Sequence, residues 1–371
     1  MKVLLLTASY GTGHITAAKS IYEVIKNKHP NWQVEIVDFL RINNKNTHEK
    51  LTFFQKLYNL SMEKPILFDI FFYLTNNKFC SFILELFMKL INYKHAKKIF
   101  NDFQPDIFIS THPYWTFLVK KYKKERNIPY ICVITDSYMV HKAWIDKFVD
   151  IYCVIDEDTK HVLINNNIKN IFVTGFPVAD KLFEKVDKNK ILVEELGLHK
   201  DKLTILITVG LGAIERFLDI IEYLRKKTGN FQMIIVTGKY KQIYDYLISL
   251  KFNPPTKIIG WTDRMYDFIR VSDLVICKGG GAIVSESLSA GVPVFIPLFV
   301  PGQERGNVYV VKKYQMGFHE IELQKVYQIL EQIITGKINL NFYKDNISKY
   351  IQHNPAEKIV KISESILSKT L

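Results

Sequence analysis

At 371 residues, 48% of them hydrophobic, the chain carries enough apolar material for two cores and more than one core usually holds. Its formal net charge of +13, from 50 Lys and Arg against 37 Asp and Glu, suits an anionic partner such as nucleic acid, an acidic membrane surface or a phosphorylated ligand, without choosing among them. The four cysteines, Cys80, Cys132, Cys153 and Cys277, lie far apart with no CxxC spacing; this excludes a disulfide framework and is read as a reduced, cytoplasmic protein.

The opening KVLLLT is too short for a signal-peptide core and reads as a buried first strand rather than an export signal. Short apolar runs then recur with helical stretches between them: VEIVDF at 34–39, DIFIS at 106–110, YICVIT at 130–135, IYCVI at 151–155 and IFVTG at 171–175. A second set comprises LTILITVG at 203–210, MIIVTG at 233–238, TKIIG at 256–260, DLVICKGG at 273–280 and VPVFIP at 292–297. Hydrophobicity that is continuous rather than alternating marks strands covered on both faces, as in parallel sheets wrapped by helices. The expected fold class is therefore α/β, with two Rossmann-like halves. The expected organisation is an N-terminal half over 1–176, a charged connection over 177–200, a C-terminal half over 201–345, and a last helix within 346–371 able to pack on either half.

Residues 51–100 depart from this rhythm, crowding aromatic, aliphatic and Lys side chains together. Asp69, Glu85 and Lys89 interrupt the apolar runs, and no stretch reaches the roughly 18 to 20 charge-poor residues of a spanning helix. An amphipathic helix pair is expected. It either covers the sheet or lies on a bilayer, with aromatics in the lipid boundary and Lys56, Lys64, Lys78 and Lys89 at anionic headgroups.

Chemistry-bearing residues gather where strands end. Gly11-Thr12-Gly13-His14 follows the first strand; glycines there let backbone N–H groups approach a ligand, and the next helix offers its positive end. The third glycine of a dinucleotide fingerprint is missing. His14 is either a general base on a hydroxyl or a histidine that merely packs at the loop. Thr111-His112 follows the DIFIS run, and Thr135-Asp136-Ser137, with His141 and Trp144 after it, follows YICVI. All of these can face one crevice, with Asp136 either orienting a histidine or capping a helix. Asp156-Glu157-Asp158 resembles a DxD metal motif but precedes a helical stretch, where Asp as N-cap is the better reading. No metal is expected.

In the second half, Lys278-Gly279-Gly280-Gly281 runs from a strand into a helix bearing Ser285 and Glu286. The glycines and helix N-terminus form an anion cradle, and an acid one turn in can accept hydrogen bonds from ribose hydroxyls. Gln303, Glu304 and Asn307, at i, i+1 and i+4, suit a polyol, and a purely structural account leaves this trio idle.

The stretches GTGHITAA, THPYWT, ITDSYMVHKAW, TGFPV, VTGKY, GWTDRM, KGGGAIVSESLSAGVP and PGQERGN occur in this order over residues 7–307. With them the chain resembles the plastid monogalactosyldiacylglycerol synthases and the bacterial processive diacylglycerol glucosyltransferases. These are relatives of the enzyme that adds N-acetylglucosamine to the peptidoglycan lipid precursor. The resemblance implies the GT-B glycosyltransferase architecture, two Rossmann-like domains facing a cleft. The N-terminal domain would serve acceptor and membrane, the C-terminal domain a UDP-sugar. It implies His14 as base on the acceptor, with Gly13, His112, His141 and Trp144 on the acceptor side. Glu286 would sit at the ribose, and Gln303, Glu304 and Asn307 near the sugar and diphosphate. The backbone around Trp261 would lie near the uracil, Gly210 and Gly212 on the phosphate side, and Gly238 in the donor region. Two departures stand out: VGLGAIERF is poorer in glycine than the usual loop, and Lys278-Gly279 replaces Lys-Pro.

The function expected is inverting transfer of a hexose from a UDP-sugar to diacylglycerol at the inner face of the cell membrane, with no cofactor and no metal. The alternatives are another lipid or polyprenyl acceptor, or a UDP-sugar-binding module without catalysis. Nucleic acid is not an expected partner, because the basic residues are scattered and no reading motif is present.

Overall fold

Runs that are apolar at every position become strands here because both sides of each sheet are covered. The structure, a computed structural model, describes residues 1–9, 11–41, 72–210, 212 and 214–368. The chain divides into two compact units. One is Met1–Ala179 with Val300–Gly306 and Gln352–Leu371, the other Asp180–Phe299 with Asn307–Ile351. Each is built on a six-stranded parallel sheet.

In the first unit β1 (Lys2–Thr7), β2 (Gln33–Asp38), β3 (Ile107–Ser110), β4 (Tyr130–Val133), β5 (Ile151–Val154) and β6 (Ile171–Val173) lie in the order β2-β1-β3-β4-β5-β6. The helices are α1 (Gly13–Lys28), α2 (Lys78–Phe103), α3 (Tyr114–Lys123) and α4 (Glu157–Ile164). Alternate residues of one strand feed two cores. Leu4, Leu6 and Phe108 pack with Tyr93, Ala96 and Phe100 of α2 and Trp115 of α3. Val3, Leu5, Ile107 and Ile109 pack on the other side with Ile21, Val24 and Ile25 of α1. Cys132, Cys153 and Cys277 are buried thiols, and burial pushes those of Cys132 and Cys153 well up; this fits their reading as small core hydrophobes.

The second unit contains β7 (Leu203–Thr208), α5 (Ile214–Arg225), β8 (Phe231–Val236), α6 (Lys241–Ile248), β9 (Thr256–Ile259), α7 (Met265–Val271), β10 (Leu274–Ile276), α8 (Gly281–Ser289) and β11 (Val294–Ile296). After these come α9 (Glu304–Lys313), which belongs to this unit from Asn307 onward, β12 (Gly317–His319), α10 (Leu323–Ile334) and α11 (Asn341–Tyr350). Its sheet order is β12-β11-β10-β7-β8-β9. Of residues 177–200, the charged connection of the sequence reading, 180–200 belong to this unit. Leu182, Ile191, Leu192 and Leu198 are buried, and Glu195 pairs with Arg264 at 2.8 Å. The final helix, α12 (Pro355–Leu367), belongs to the first unit and packs on α1 through Ala356, Ile359 and Val360.

In both sheets the first strand in sequence has neighbours reached in opposite directions. β1 lies between β2 and β3, β7 between β10 and β8. Loops leaving such a pair of strands diverge, and the crevice at their carboxyl ends is where open α/β sheets bind ligands.

Of residues 51–100, those from 51 to 71, including Lys56 and Lys64, lie outside the described residues. Phe72 is 6% exposed and its ring meets His141 edge-on; it is a core residue, not a lipid-facing one. The first half of α2 shows the opposite character, with Phe82, Ile83, Leu86 and Leu90 all exposed. Among the described residues no helix is long and apolar enough to cross a membrane.

Candidate active site

Thr7 ends β1, and after Gly11, which has the left-handed φ of +76°, the chain turns into α1. Gly13 is the first residue of that helix and His14 the second. The helix N-terminus carries no side-chain cap, so its first N–H groups have no cap acceptor. His14 is buried. Its Nδ1 lies 2.8 Å from the Thr111 carbonyl oxygen and 2.8 Å from Thr135 Oγ1, at the ends of β3 and β4. Thr111 Oγ1 in turn donates to the His14 carbonyl at 2.9 Å, tying the start of α1 to the neighbouring strand.

The surroundings of this ring set its charge. Burial holds the imidazole below its ordinary pKa, while the Asp136 carboxylate and the Thr111 carbonyl pull it up. Burial raises Asp136, opposed by His14 and by the Trp144 hydrogen bond. Trp144 is wholly buried, and its Nε1–H donates to Asp136 Oδ2 at 2.7 Å. His112 meets His14 edge-on with centroids 4.6 Å apart, and burial holds it well below its ordinary pKa. Burial thus favours the neutral form of both imidazoles in this crevice, and the Asp136 carboxyl is the group that works against it at His14.

His141 has a different occupation. Its Nδ1 accepts the Ala143 N–H at 3.1 Å and caps the turn Lys142–Trp144, while its other nitrogen meets Thr75 Oγ1 at 3.1 Å. Burial pushes its pKa down to about 4. Asp156 is the N-cap of α4, accepting the Thr159 N–H and Oγ1–H at 2.7 Å each. The DxD-like tripeptide is therefore a helix start, and among the described residues no group of three or more His, Cys, Asp or Glu side chains is arranged to hold a metal ion.

In the second unit the singled-out residues follow the strands β7 to β10. Gly210 and Gly212 follow β7, with Gly212 at φ +74°. Gly238 follows β8, and Trp261, 63% exposed, follows β9. Gly280 caps α8 and Gly281 opens it, again with no side-chain cap and no acid in the first turn. An uncapped helix start of this kind takes anions readily. Ser285 and Glu286 lie one turn in, both half-buried. Among the described residues the Glu286 side chain has no hydrogen-bond or ion-pair partner, and burial alone raises its pKa to about 7.

Glu304 and Asn307 have tasks the sequence did not reveal. Asn307 Nδ2 donates to the Gly279 carbonyl at 2.8 Å, holding the glycine loop, and Glu304 accepts the Val300 N–H at 2.6 Å. Gln303 is half-buried. Sequence reasoning placed Thr111 and Thr135 at strand ends facing the crevice but gave neither a role; both contact the His14 ring at Nδ1.

The model of monogalactosyldiacylglycerol synthase matches residues 14–178, and that of the glycosyltransferase family 28 C-terminal domain matches residues 204–336. A processive diacylglycerol β-glucosyltransferase of Staphylococcus epidermidis is 31% identical over 324 residues, 85% of this chain and 80% of that protein. The chain belongs to this family. The proteins of the same name from Bacillus licheniformis and Bacillus subtilis are each 27% identical, covering 99% and 97% of this chain and 96% and 94% of their own. Among solved structures, Acinetobacter baumannii MurG superposes with a TM-score of 0.60 at 14% identity, over 98% of this chain and 99% of that one. Anabaena HepE in complex with UDP-glucose gives 0.58 at 14% identity, over 99% and 100%. The fold is that of the GT-B glycosyltransferases, and the family makes the chain a glycosyltransferase of glycolipid synthesis.

Proposed function

We propose that the enzyme transfers a hexose from a UDP-sugar to the hydroxyl of diacylglycerol with inversion, at an anionic membrane surface. The observation that carries this is the buried His14 of the first unit, held at Nδ1 by Thr111 and Thr135; in the second unit, taken by itself, the Glu286 side chain has no partner among the described residues and stands in a helix with an uncapped start. His14 takes the proton of the acceptor hydroxyl as its oxygen bonds to the anomeric carbon. The bond from that carbon to the diphosphate oxygen breaks, and UDP leaves. Asp136, held by Trp144, favours the resulting imidazolium. Glu286 accepts from the ribose hydroxyls, and the α8 N–H groups receive the leaving diphosphate's charge in the role a divalent cation plays elsewhere. The acceptor assignment rests on the names of the relatives.

The test is incubation with radiolabelled UDP-glucose, UDP-galactose and UDP-N-acetylglucosamine and diacylglycerol in mixed micelles, followed by lipid extraction. Label should enter the lipid from a hexose donor, as a β-glycoside, in the presence of excess chelator. His14→Ala should lower turnover by about a hundredfold or more with donor affinity unchanged, since a general base contributes about 10²–10⁴. Label reaching only a polyprenyl acceptor, or chelator-sensitive turnover restored by Mg²⁺, would overturn the corresponding part.

A further inference from the structure

The hydrogen bonds to the His14 ring say more than that it is a base. A backbone carbonyl can only accept, so the 2.8 Å contact with the Thr111 oxygen puts the ring proton on Nδ1. Thr135 Oγ1, also 2.8 Å from Nδ1, then accepts from the same N–H. Asp136, the residue a histidine–carboxylate pair would use, spends Oδ2 on Trp144 and acts on the ring through space. Thr111 and Thr135 are both buried, and they stand at the ends of strands that pair directly, Ser110 opposite Cys132. This fixes their distance from one another.

We propose that Thr135 is a positioning residue for His14: with the Thr111 carbonyl its hydroxyl clamps Nδ1–H, aims the Nε2 lone pair at the acceptor hydroxyl, and stays as an acceptor when the imidazolium forms. The proposal rests on His14 being the base. Among the described residues, the other titratable groups facing the ring are Asp136, from the loop after β4, and His112, from the end of β3, with the Trp144 ring 6.1 Å away. Removing an acceptor from the protonated ring disfavours that form, so the change has a direction in pH as well as in rate.

The experiment compares Thr135→Val, which keeps shape and loses the hydroxyl, with Thr135→Ser, which restores it, using UDP-glucose and diacylglycerol micelles. T135V should lower kcat about tenfold to a hundredfold with the UDP-glucose KM unchanged, a part of what a base contributes. The acid limb of its kcat/KM profile should move down by about half a pH unit or more, the worth of one hydrogen bond, and T135S should reverse both effects. Imidazole ¹⁵N shifts of the wild-type enzyme at neutral pH should show His14 protonated at Nδ1 and bare at Nε2. The opposite tautomer overturns the proposal however the variants fold. Wild-type kcat and limb in T135V, with His14→Gln inactive, overturns Thr135 alone. A loss that T135S does not rescue and that leaves the limb in place reduces Thr135 to a packing role. Wild-type turnover in H14Q removes the base itself.

Discussion

Glu286 shows how a single side chain carries a testable charge state. Its carboxyl is half-buried without a compensating partner among the described residues, and its pKa stands at about 7. Ribose hydroxyls need the ionised form as acceptor, so affinity for UDP-glucose should rise between pH 6 and 8. The nucleotide sugar is the ligand of choice because its diphosphate does not titrate there. Glu286→Gln should abolish that slope and weaken binding at pH 8 by the equivalent of about 1.5–3 kcal/mol; calorimetry at both pH values decides, and a pH-independent wild type would reject the role. The same group makes a stability prediction of opposite sense. A folded-state pKa raised above the unfolded value near 4.5 contributes stability that is lost as pH rises through 7. The unliganded Gln variant should therefore melt higher than the wild type at pH 8, with the difference shrinking toward pH 5. At this scale the sequence showed residue types at strand ends but not their partners. His14 was legible as a candidate base and Thr135 as a residue of the same crevice, whereas the contact of Thr135 with the His14 ring was not, because it depends on β3 and β4 lying side by side. Asn307 read as a polyol ligand, while its amide holds Gly279.

At the scale of elements, continuous apolar runs located the strands up to β11, and the pattern failed at β12. That strand has three residues, Gly317–His319, and a single apolar side chain. It exists because β11 offers an edge, and Gly317 fits there because a Cβ would stand 2.0 Å from the Val294 carbonyl oxygen. The segment over 51–100 divides in the same way. Composition identified an apolar, basic stretch, but not which side chains turn outward. Phe82, Ile83, Leu86 and Leu90 fall within about 100° of one another around α2 and are exposed, Leu90 by 74%. A stripe of this kind on an enzyme of a water-insoluble acceptor fits the lipid boundary. Replacing Phe82, Leu86 and Leu90 together by Ser should lower binding to vesicles about tenfold or more, and this loss should persist at high salt, which screens only the lysine contribution. Unaltered vesicle binding would assign the stripe to another purpose. Phe72→Ser should instead lower the melting temperature, since Phe72 packs on His141.

At the scale of the whole molecule, both parallel sheets were legible from hydrophobic runs, while the boundaries of the units were not. An amphipathic end helix announces that one face is covered, not what covers it. For α12 the partner is the face of the first sheet that α1 also covers, where Ala356, Ile359, Val360 and Leu367 join Val3, Leu5 and Ile21 in one core. At its margin Glu357 pairs with Lys28 at 2.6 Å and Lys361 at 2.8 Å, which holds the Glu357 carboxyl down at about 2. Each large buried side chain stabilises by about 1.5–3 kcal/mol, so losing this face removes a large part of the ~5–15 kcal/mol that holds a typical domain together. Truncation after residue 351 should therefore yield a first unit that unfolds or aggregates, although no residue of the candidate active site is touched. Ile359→Ala should cost about 2–5 kcal/mol in urea unfolding, while Glu357→Gln, which breaks exposed pairs, should cost little. A soluble, cooperatively melting truncation would mean that α1 and the sheet hold their packing without α12.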